Sequence, residues 1–229
     1  GCHDALLELT KFHNSGVTVE VNMPKALEYA KLYAERTGEK APYADAAFDW
    51  AIEKLALQEN ETAKKYMLIA ADNGEKRAYW YAFELSGNGK YALAAAESGD
   101  ERGFAEAAVY LMDLQKENLY LHYSEMLGQV VSGELYQVWK KEMLLLDDDG
   151  NELYLPKQNQ IPTDYYRKGD TVRAVVVQVD NKNQNPKIIL SRTSPLFLQR
   201  LFEQEVPEVH DGLIAIKNIA RIPGERAKV

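Results

Sequence analysis

Two rhythms of apolar and polar residues divide this chain of 229 residues. In "MPKALEYAKLYAERTG" (23–38), Ala26, Leu27, Ala30, Tyr33 and Ala34 recur at the spacing of one helical face. Pro24 suits the first helical turn, where its missing N–H costs nothing, and Gly38 suits a left-handed cap at the end. From Gly128 the rhythm becomes alternation. "GQVVSGELYQVWKKEMLLLDDDGNELYLPKQ" sets β-branched and aromatic residues against polar ones, with turn residues between the runs. "TVRAVVVQVD" (171–180), the turn "NKNQN" (181–185) and "PKIILSR" (186–192) continue it. The first rhythm predicts helices. The second predicts five short strands, with a longer link, "KQNQIPTDYYRKGD", between the third and fourth.

Composition places the boundary. Alanine occurs 22 times in residues 1–116 and four times afterwards, while valine rises from four to eleven, so two folds are the simplest account. Within the first part, "AERTGEKAPYADAAF" (34–48), "AADNGEKRAYWYAFEL" (70–85) and "AAESGDERGFAEAAVYL" (95–111) follow one pattern. Gly38, Gly74 and Gly99 occupy equivalent positions, and Gly1 with Ala5 marks an earlier unit. Such a repeat is expected to be a helix, a turn and a helix, with alanine where the helices approach. "NSGVTVEVNM" (14–23) is expected to be a loop between helices, and "SGNG" (86–89) a clipped turn in a shorter unit. Tyr29, Tyr33, Tyr66, Tyr79, Trp80 and Tyr81 are expected to serve mainly as packing between helices. In the second part, five strands with a long third connection describe a five-stranded OB-type β-barrel. The fold class is therefore α+β and multidomain, an α-helical repeat solenoid followed by a barrel.

Charge and cysteine content narrow the function. The net charge of −8 argues against a protein that coats nucleic acid non-specifically. Residues 157–192 nevertheless carry seven basic side chains against three acidic ones, the only local basic excess worth weighing. Cys2 is the single cysteine, so no internal disulfide forms, and a reducing, cytoplasmic setting fits. No apolar run is long enough for a membrane span. The four histidines lack metal-ligand spacing. Asp147-Asp148-Asp149-Gly150 is a hairpin turn rather than a calcium loop, whose carboxylates would alternate. No nucleophile with a base and no phosphate loop is present, so neither catalysis nor a cofactor is expected.

The first part resembles the Sel-one-like subclass of tetratricopeptide-type repeats. The residues that carry the likeness are Lys25-Ala26-Leu27-Glu28-Tyr29, Ala63-Lys64-Lys65-Tyr66 with Ala70-Ala71-Asp72-Asn73-Gly74, and Lys90-Tyr91-Ala92 with Ala95-Ala96-Glu97-Ser98-Gly99. The likeness implies a curved solenoid over 1–112 that binds another protein. From about Leu114 onward the chain resembles the bacterial transcription factor family NusA, most diagnostically in "QIPTDYYRKGD", "ILSRTSPLFLQRLFEQEVPE" and "DGLIAIKNIARIPGER". This implies a lead-in helix over 113–127, an S-one-type OB domain over 128–193 and a partial KH domain over 194–229. The KH portion would hold a helix capped by Ser194 with Pro195 in its first turn, then a hairpin around Pro223-Gly224. The Gly-x-x-Gly loop that clamps nucleic acid in KH domains is expected beyond Val229. In NusA a different α/β domain that touches RNA polymerase precedes this region. Here the repeats stand in its place, so polymerase binding does not carry over from the resemblance, and RNA polymerase or another protein is the expected partner of the repeats.

An OB barrel binds single strands by combining stacking aromatics with a basic groove. Single-stranded RNA is the expected ligand. The candidate aromatics are Tyr136 and Trp139 on the first strand, Tyr154 on the third, and Tyr165 and Tyr166 in the long link. The candidate phosphate contacts are Lys140, Lys157, Arg167, Lys168, Arg173, Lys187 and Arg192. Leu144–Leu146 and Leu153-Tyr154-Leu155 stand where tight S-one binders carry Phe and His, so weak affinity is expected. Two functions compete: an RNA-binding module of NusA type in elongation, termination or antitermination, and a protein-interaction scaffold whose NusA-like part is structural or vestigial. Exposed aromatics beside lysines favour the first; aromatics buried against the repeats favour the second.

Overall fold

The computed structural model describes residues 2–16, 20–182 and 185–229. Gly1, Val17–Val19 and Asn183–Gln184 lie outside the described residues. So do the earliest repeat marker, the middle of the 14–23 loop and the tip of the 181–185 turn. The chain forms two compact units, Gly1–Met112 and Asp113–Val229.

The first unit is helical: α1 (Cys2–Ser15), α2 (Met23–Thr37), α3 (Ala41–Ala56), α4 (Asn60–Asp72), α5 (Ala78–Ser86), α6 (Gly89–Glu97) and the start of α7 (Phe104–Glu125). From α1 to α6 each helix packs on the next in sequence. Alanine makes this possible. Ala26, Ala30, Ala47, Ala51, Ala63, Ala70, Ala78, Ala82, Ala92 and Ala95 are fully buried, and a methyl loses no rotamer entropy on burial. Larger buried groups are few, among them Met67, Phe48 and Tyr91. Tyr66 meets Trp50 edge-on at 6.1 Å, and Tyr81 meets Phe48 at 6.3 Å. Gly38 caps α2 in the left-handed conformation, φ +78°, and its N–H donates to Ala34 O at 2.9 Å. At Gly103 the requirement is space: an added Cβ would stand 2.6 Å from Ala92 O and 2.7 Å from Ala96 N on α6. The 86–89 turn joins two helices of nine residues each, against 16 and 13 for α3 and α4.

The second unit is built on five strands, β1 (Val130–Trp139), β2 (Glu142–Leu146), β3 (Glu152–Leu155), β4 (Thr171–Lys182) and β5 (Asn185–Ser191). Their order is β1-β2-β3-β5-β4, and β4 pairs back to β1, so each strand has two hydrogen-bonded neighbours. All pairings are antiparallel except β3 with β5. Leu135, Leu145, Leu153, Leu155, Val172, Val176, Ile188 and Leu190 fill the interior. β1 and β4 each carry one bulge, at Leu135/Gln137 and Val176/Gln178, which bend a long strand around the small core.

The divide between the two units, Met112/Asp113, falls inside α7, which runs 22 residues without interruption from Phe104 to Glu125 and takes in most of the expected lead-in helix. Residues 104–127 contain neither glycine nor proline, so nothing in them stops a helix begun at Phe104. Leu119, Tyr123 and Met126 come one turn apart and pack on the interior of the sheet. Tyr123 is 3% exposed, and its hydroxyl donates to Asp147 Oδ2 at 2.6 Å. Asp147 in turn holds the β2–β3 turn, accepting from the backbone N–H of Asp149 at 3.0 Å and of Asn151 at 2.7 Å.

After β5, Ser194 caps α8 (Pro195–Glu205), accepting from Leu196 N at 3.3 Å, and the short α9 (Pro207–His210) follows. The antiparallel hairpin of β6 (Ala220–Ile222) and β7 (Arg226–Lys228) ends the chain. Gly224 at its turn has φ +84°, and a Cβ there would meet Ile161 Cγ2 at 2.7 Å and Thr163 Oγ1 at 2.8 Å. The hairpin therefore seats against the β3–β4 link. Among the described residues no helix is long and apolar enough to cross a membrane.

Burial alone would raise the Asp147 pKa, but the donors gathered round it, led by Tyr123, outweigh burial and hold the carboxyl below its usual value. Its stabilisation is complete above the unfolded carboxylate range of about pH 4 and is lost as pH falls through the folded value. Tyr123→Phe should cost roughly 1–2 kcal/mol near pH 7. Between pH 7 and pH 3 the variant should also lose less stability than the parent chain, measured by denaturant titration.

Candidate nucleic-acid interface

The bulge in β1 decides which side chains reach the outer surface. Val131, Gly133 and Leu135 point inward, so unbroken alternation would turn Gln137 and Trp139 inward as well. Two residues, Tyr136 and Gln137, instead span the step from Leu145 to Leu144 on β2, and the phase inverts. Gln137 now pairs with Leu144, which pairs with Tyr154 on β3, giving a row across three strands on the outer face. Trp139, opposite Glu142, extends this face. Gln137, Trp139, Glu142, Met143, Leu144 and Tyr154 line a shallow cleft of about 200 Å³.

Three aromatic rings of this unit each carry a lysine ammonium. Lys140 Nζ lies 4.4 Å from the Trp139 ring centroid, Lys187 Nζ 4.8 Å from Tyr154, and Lys168 Nζ 5.0 Å from Tyr136. Trp139 is 62% exposed and Tyr136 48%. Among the described residues none of these three ammonium groups is paired with a carboxylate. The Tyr154 hydroxyl donates to Glu152; that bond, with burial behind it, pushes the phenol up to about 12. Tyr154 is thus a neutral ring at any physiological pH.

The turn that presents Lys140 is strained. Lys140 and Lys141 both have positive φ, 49° and 69°, the left-handed pair of a tight two-residue hairpin turn that Asn-Gly adopts at little cost. Gln160 steadies it, its Nε2 donating to Lys141 O at 2.8 Å and to Leu155 O at 2.9 Å. Lys141, Gln137, Glu142 and Gln160 escaped the sequence reading. "WKKE" between two alternating runs was a signal for a two-residue turn, whereas the bulge left no mark in the residue types.

The β3–β4 link supplies a second group. Tyr165 is 81% exposed, and Arg167 and Lys168 are exposed beside it. The Asp170 carboxylate shapes this corner by accepting from Arg167 N at 2.7 Å. Lys157 is exposed on the single turn of 3-10 helix after β3.

Three of the expected contact residues have partners within the protein. Arg192 faces the protein: its Nε donates to Asp164 Oδ2 at 2.7 Å, its Nη1 to the Arg173 carbonyl, and its guanidinium covers Tyr166 and Phe197. Tyr166 packs against the sheet core, and burial pushes its phenol up. Arg173 reaches α8, donating to Gln204 Oε1 at 2.5 Å and Glu205 Oε1 at 3.3 Å. Residue type could not reveal this, because the acceptors lie about 20 to 30 residues away.

Residues 192–229 match the sequence model of the NusA-like first KH domain, so the α+β unit ends in a KH-like segment. The transcription termination/antitermination protein NusA of Thermus thermophilus is 34% identical over 119 residues, covering 52% of this chain and 31% of that protein. The protein of the same name from Bacillus subtilis is 40% identical over 78 residues, 34% of this chain and 21% of that one. That of Mycobacterium tuberculosis is 32% identical over 124 residues, 51% of this chain and 36% of that one. About half of this chain is therefore similar to NusA, and the chain spans between about a fifth and a third of the length of these relatives.

Because the β1–β2 turn holds two lysines at positive φ, replacing Lys140-Lys141 by Asn-Gly should stabilise the protein by roughly 1 kcal/mol. Thermal and denaturant melts check this, and unchanged or lowered stability would remove the strain from the account.

Proposed function

We propose that residues 113–229 are a NusA-type RNA-binding module that acts in transcription elongation, termination or antitermination. On this reading residues 128–193 form an S-one-type OB barrel, 194–229 the KH-like part, and 1–112 a Sel-one-like helical platform. The platform takes a protein partner, RNA polymerase or another. The role is one of binding rather than catalysis, in the cytoplasm.

The observation that carries the reading is a set of three rings, Tyr136 and Trp139 exposed and Tyr154 half-buried, each beside a lysine with no carboxylate partner among the described residues, on the outside of a small closed sheet. A base stacks on a ring once its flexible lysine swings aside to meet a backbone phosphate. The strand order with β3 parallel to β5 supports the OB assignment, and the similarity to NusA supports the process. Exposure of Trp139 and Tyr136 favours the RNA-binding module over a scaffold with a vestigial barrel. The pattern of alanine burial and glycine turns supports the helical-repeat reading of the first unit.

Fluorescence anisotropy with short single-stranded RNA tests the proposal. Binding should be measurable at low salt and weaken at physiological salt. Trp139→Ala should weaken it by about fivefold or more, the loss expected for one stacked base. Arg167→Glu combined with Lys168→Glu should weaken it further and flatten the salt dependence by roughly one unit of log–log slope. Absence of binding at either salt would overturn the reading.

A further inference from the structure

The outer face of β1, β2 and β3 carries one group that a phosphate-binding surface should not want. Glu142 lines the cleft between Trp139 and Tyr154, directly across from Trp139, and beside the ammonium-bearing turn. Its neighbour on the same face, Glu152, is occupied by the Tyr154 hydroxyl. The Glu142 carboxylate, by contrast, has no ion-pair or hydrogen-bond partner among the described residues, although Lys140 and Lys141 precede it in sequence. Gln137 lines the same cleft, and its amide is likewise unbonded among the described residues.

Chemistry limits what such a site accepts. A cleft of about 200 Å³ falls short of the roughly 300–1,000 Å³ of ligand pockets, so it takes a single flat base rather than an elaborated molecule. Its two aromatic walls suit a base, and its carboxylate can only accept hydrogen bonds. A phosphate would be repelled there. An edge with two adjacent donors would be gripped. Among the four RNA bases only guanine presents adjacent N1–H and N2–H₂ groups on its Watson–Crick edge. Adenine and cytosine each offer one amino group beside a ring-nitrogen acceptor. Uracil offers one N–H flanked by two carbonyl oxygens, which would face the carboxylate unfavourably. Single-stranded RNA exposes these edges to side chains once the base is splayed out on an aromatic platform.

The geometry points to Glu142 as a base-reading residue, one that gives this face a preference for guanine and a bias against uracil. The inference rests on the RNA-binding reading of the same face and adds to it a specificity that lysines and rings alone do not provide. Gln137, an amide with both donor and acceptor, is placed to satisfy the guanine O6 or N3 that the carboxylate cannot.

Two RNA dodecamers test it in the intact chain, one of uridine only and one of uridine with three spaced guanosines, each titrated by anisotropy at low salt. A bidentate edge contact discriminates by 1–3 kcal/mol, and an exposed one belongs at the lower end, so the guanosine-bearing strand should bind about five- to tenfold tighter. Glu142→Gln should bring the two affinities within about twofold. It should do so partly by tightening the uridine strand, because a negative charge near the phosphates is gone. That rise separates loss of base reading from loss of folding, and circular dichroism confirms the fold. Equal binding of both strands by the parent chain overturns the inference while leaving RNA binding standing, as does a guanosine preference that survives Glu142→Gln. Failure of both strands to bind overturns the RNA-binding reading itself.

Discussion

A sheet of five short strands in which each strand must find two partners has little freedom left, and most of the second unit follows from that closure. Leu135, Leu145, Leu153, Val172, Ile188 and Leu190 fill the interior, and the rings that the strands carry, Tyr136, Trp139 and Tyr154, lie outside it. Strands of ten and twelve residues cannot close around so small a core without bending, and the bulges in β1 and β4 supply the bend. One end receives Tyr123 from α7. Its hydroxyl would be costly in an apolar interior, and Asp147 relieves that cost while shaping the β2–β3 turn. A single hydrogen bond thus ties the helix, the core and a turn together.

Closure also sets the surface. With every strand paired to two neighbours, the outer face is free to carry side chains chosen for other reasons. It holds rings paired with lysines, a carboxylate with no partner among the described residues and a turn whose two lysines sit in a conformation that glycine and asparagine adopt more readily. Lysines over rings keep their charge within reach of solvent while their stems lie on apolar surface. In a chain of net charge −8, this local arrangement matters more to a polyanionic ligand than the total.

The helical unit obeys a different constraint. Its core is mostly methyl groups, so its helices gain stability by close approach rather than by large buried side chains. Gly103 shows how close that is, since α6 leaves no room for a Cβ. Such packing is visible in sequence as alanine at helical spacing with glycine at the turns, and Gly38, Gly74 and Gly99 all have positive φ. The continuity of α7 was harder to see. The composition changes near residue 116 while the helix does not, because a helix needs only propensity, and Leu114, Gln115 and Lys116 have it.

Sequence by itself determined what depends on near neighbours. Alternation located Tyr136, Trp139 and Tyr154 on strands, Ser194 and Pro195 marked the start of α8, and Asp149-Gly150 marked a turn. These are properties of a few consecutive residues, set by backbone sterics and side-chain spacing. Tertiary structure alone decided the direction each side chain takes. Arg192 and Arg173 resemble Arg167 in type, yet Asp164, Gln204 and Glu205 claim the first two across long loops of chain. Trp139 would face the core if β1 alternated without a break. It faces outward because closing the sheet demands one extra residue at Tyr136–Gln137, and the side-chain period of two turns that single residue into an exchange of faces.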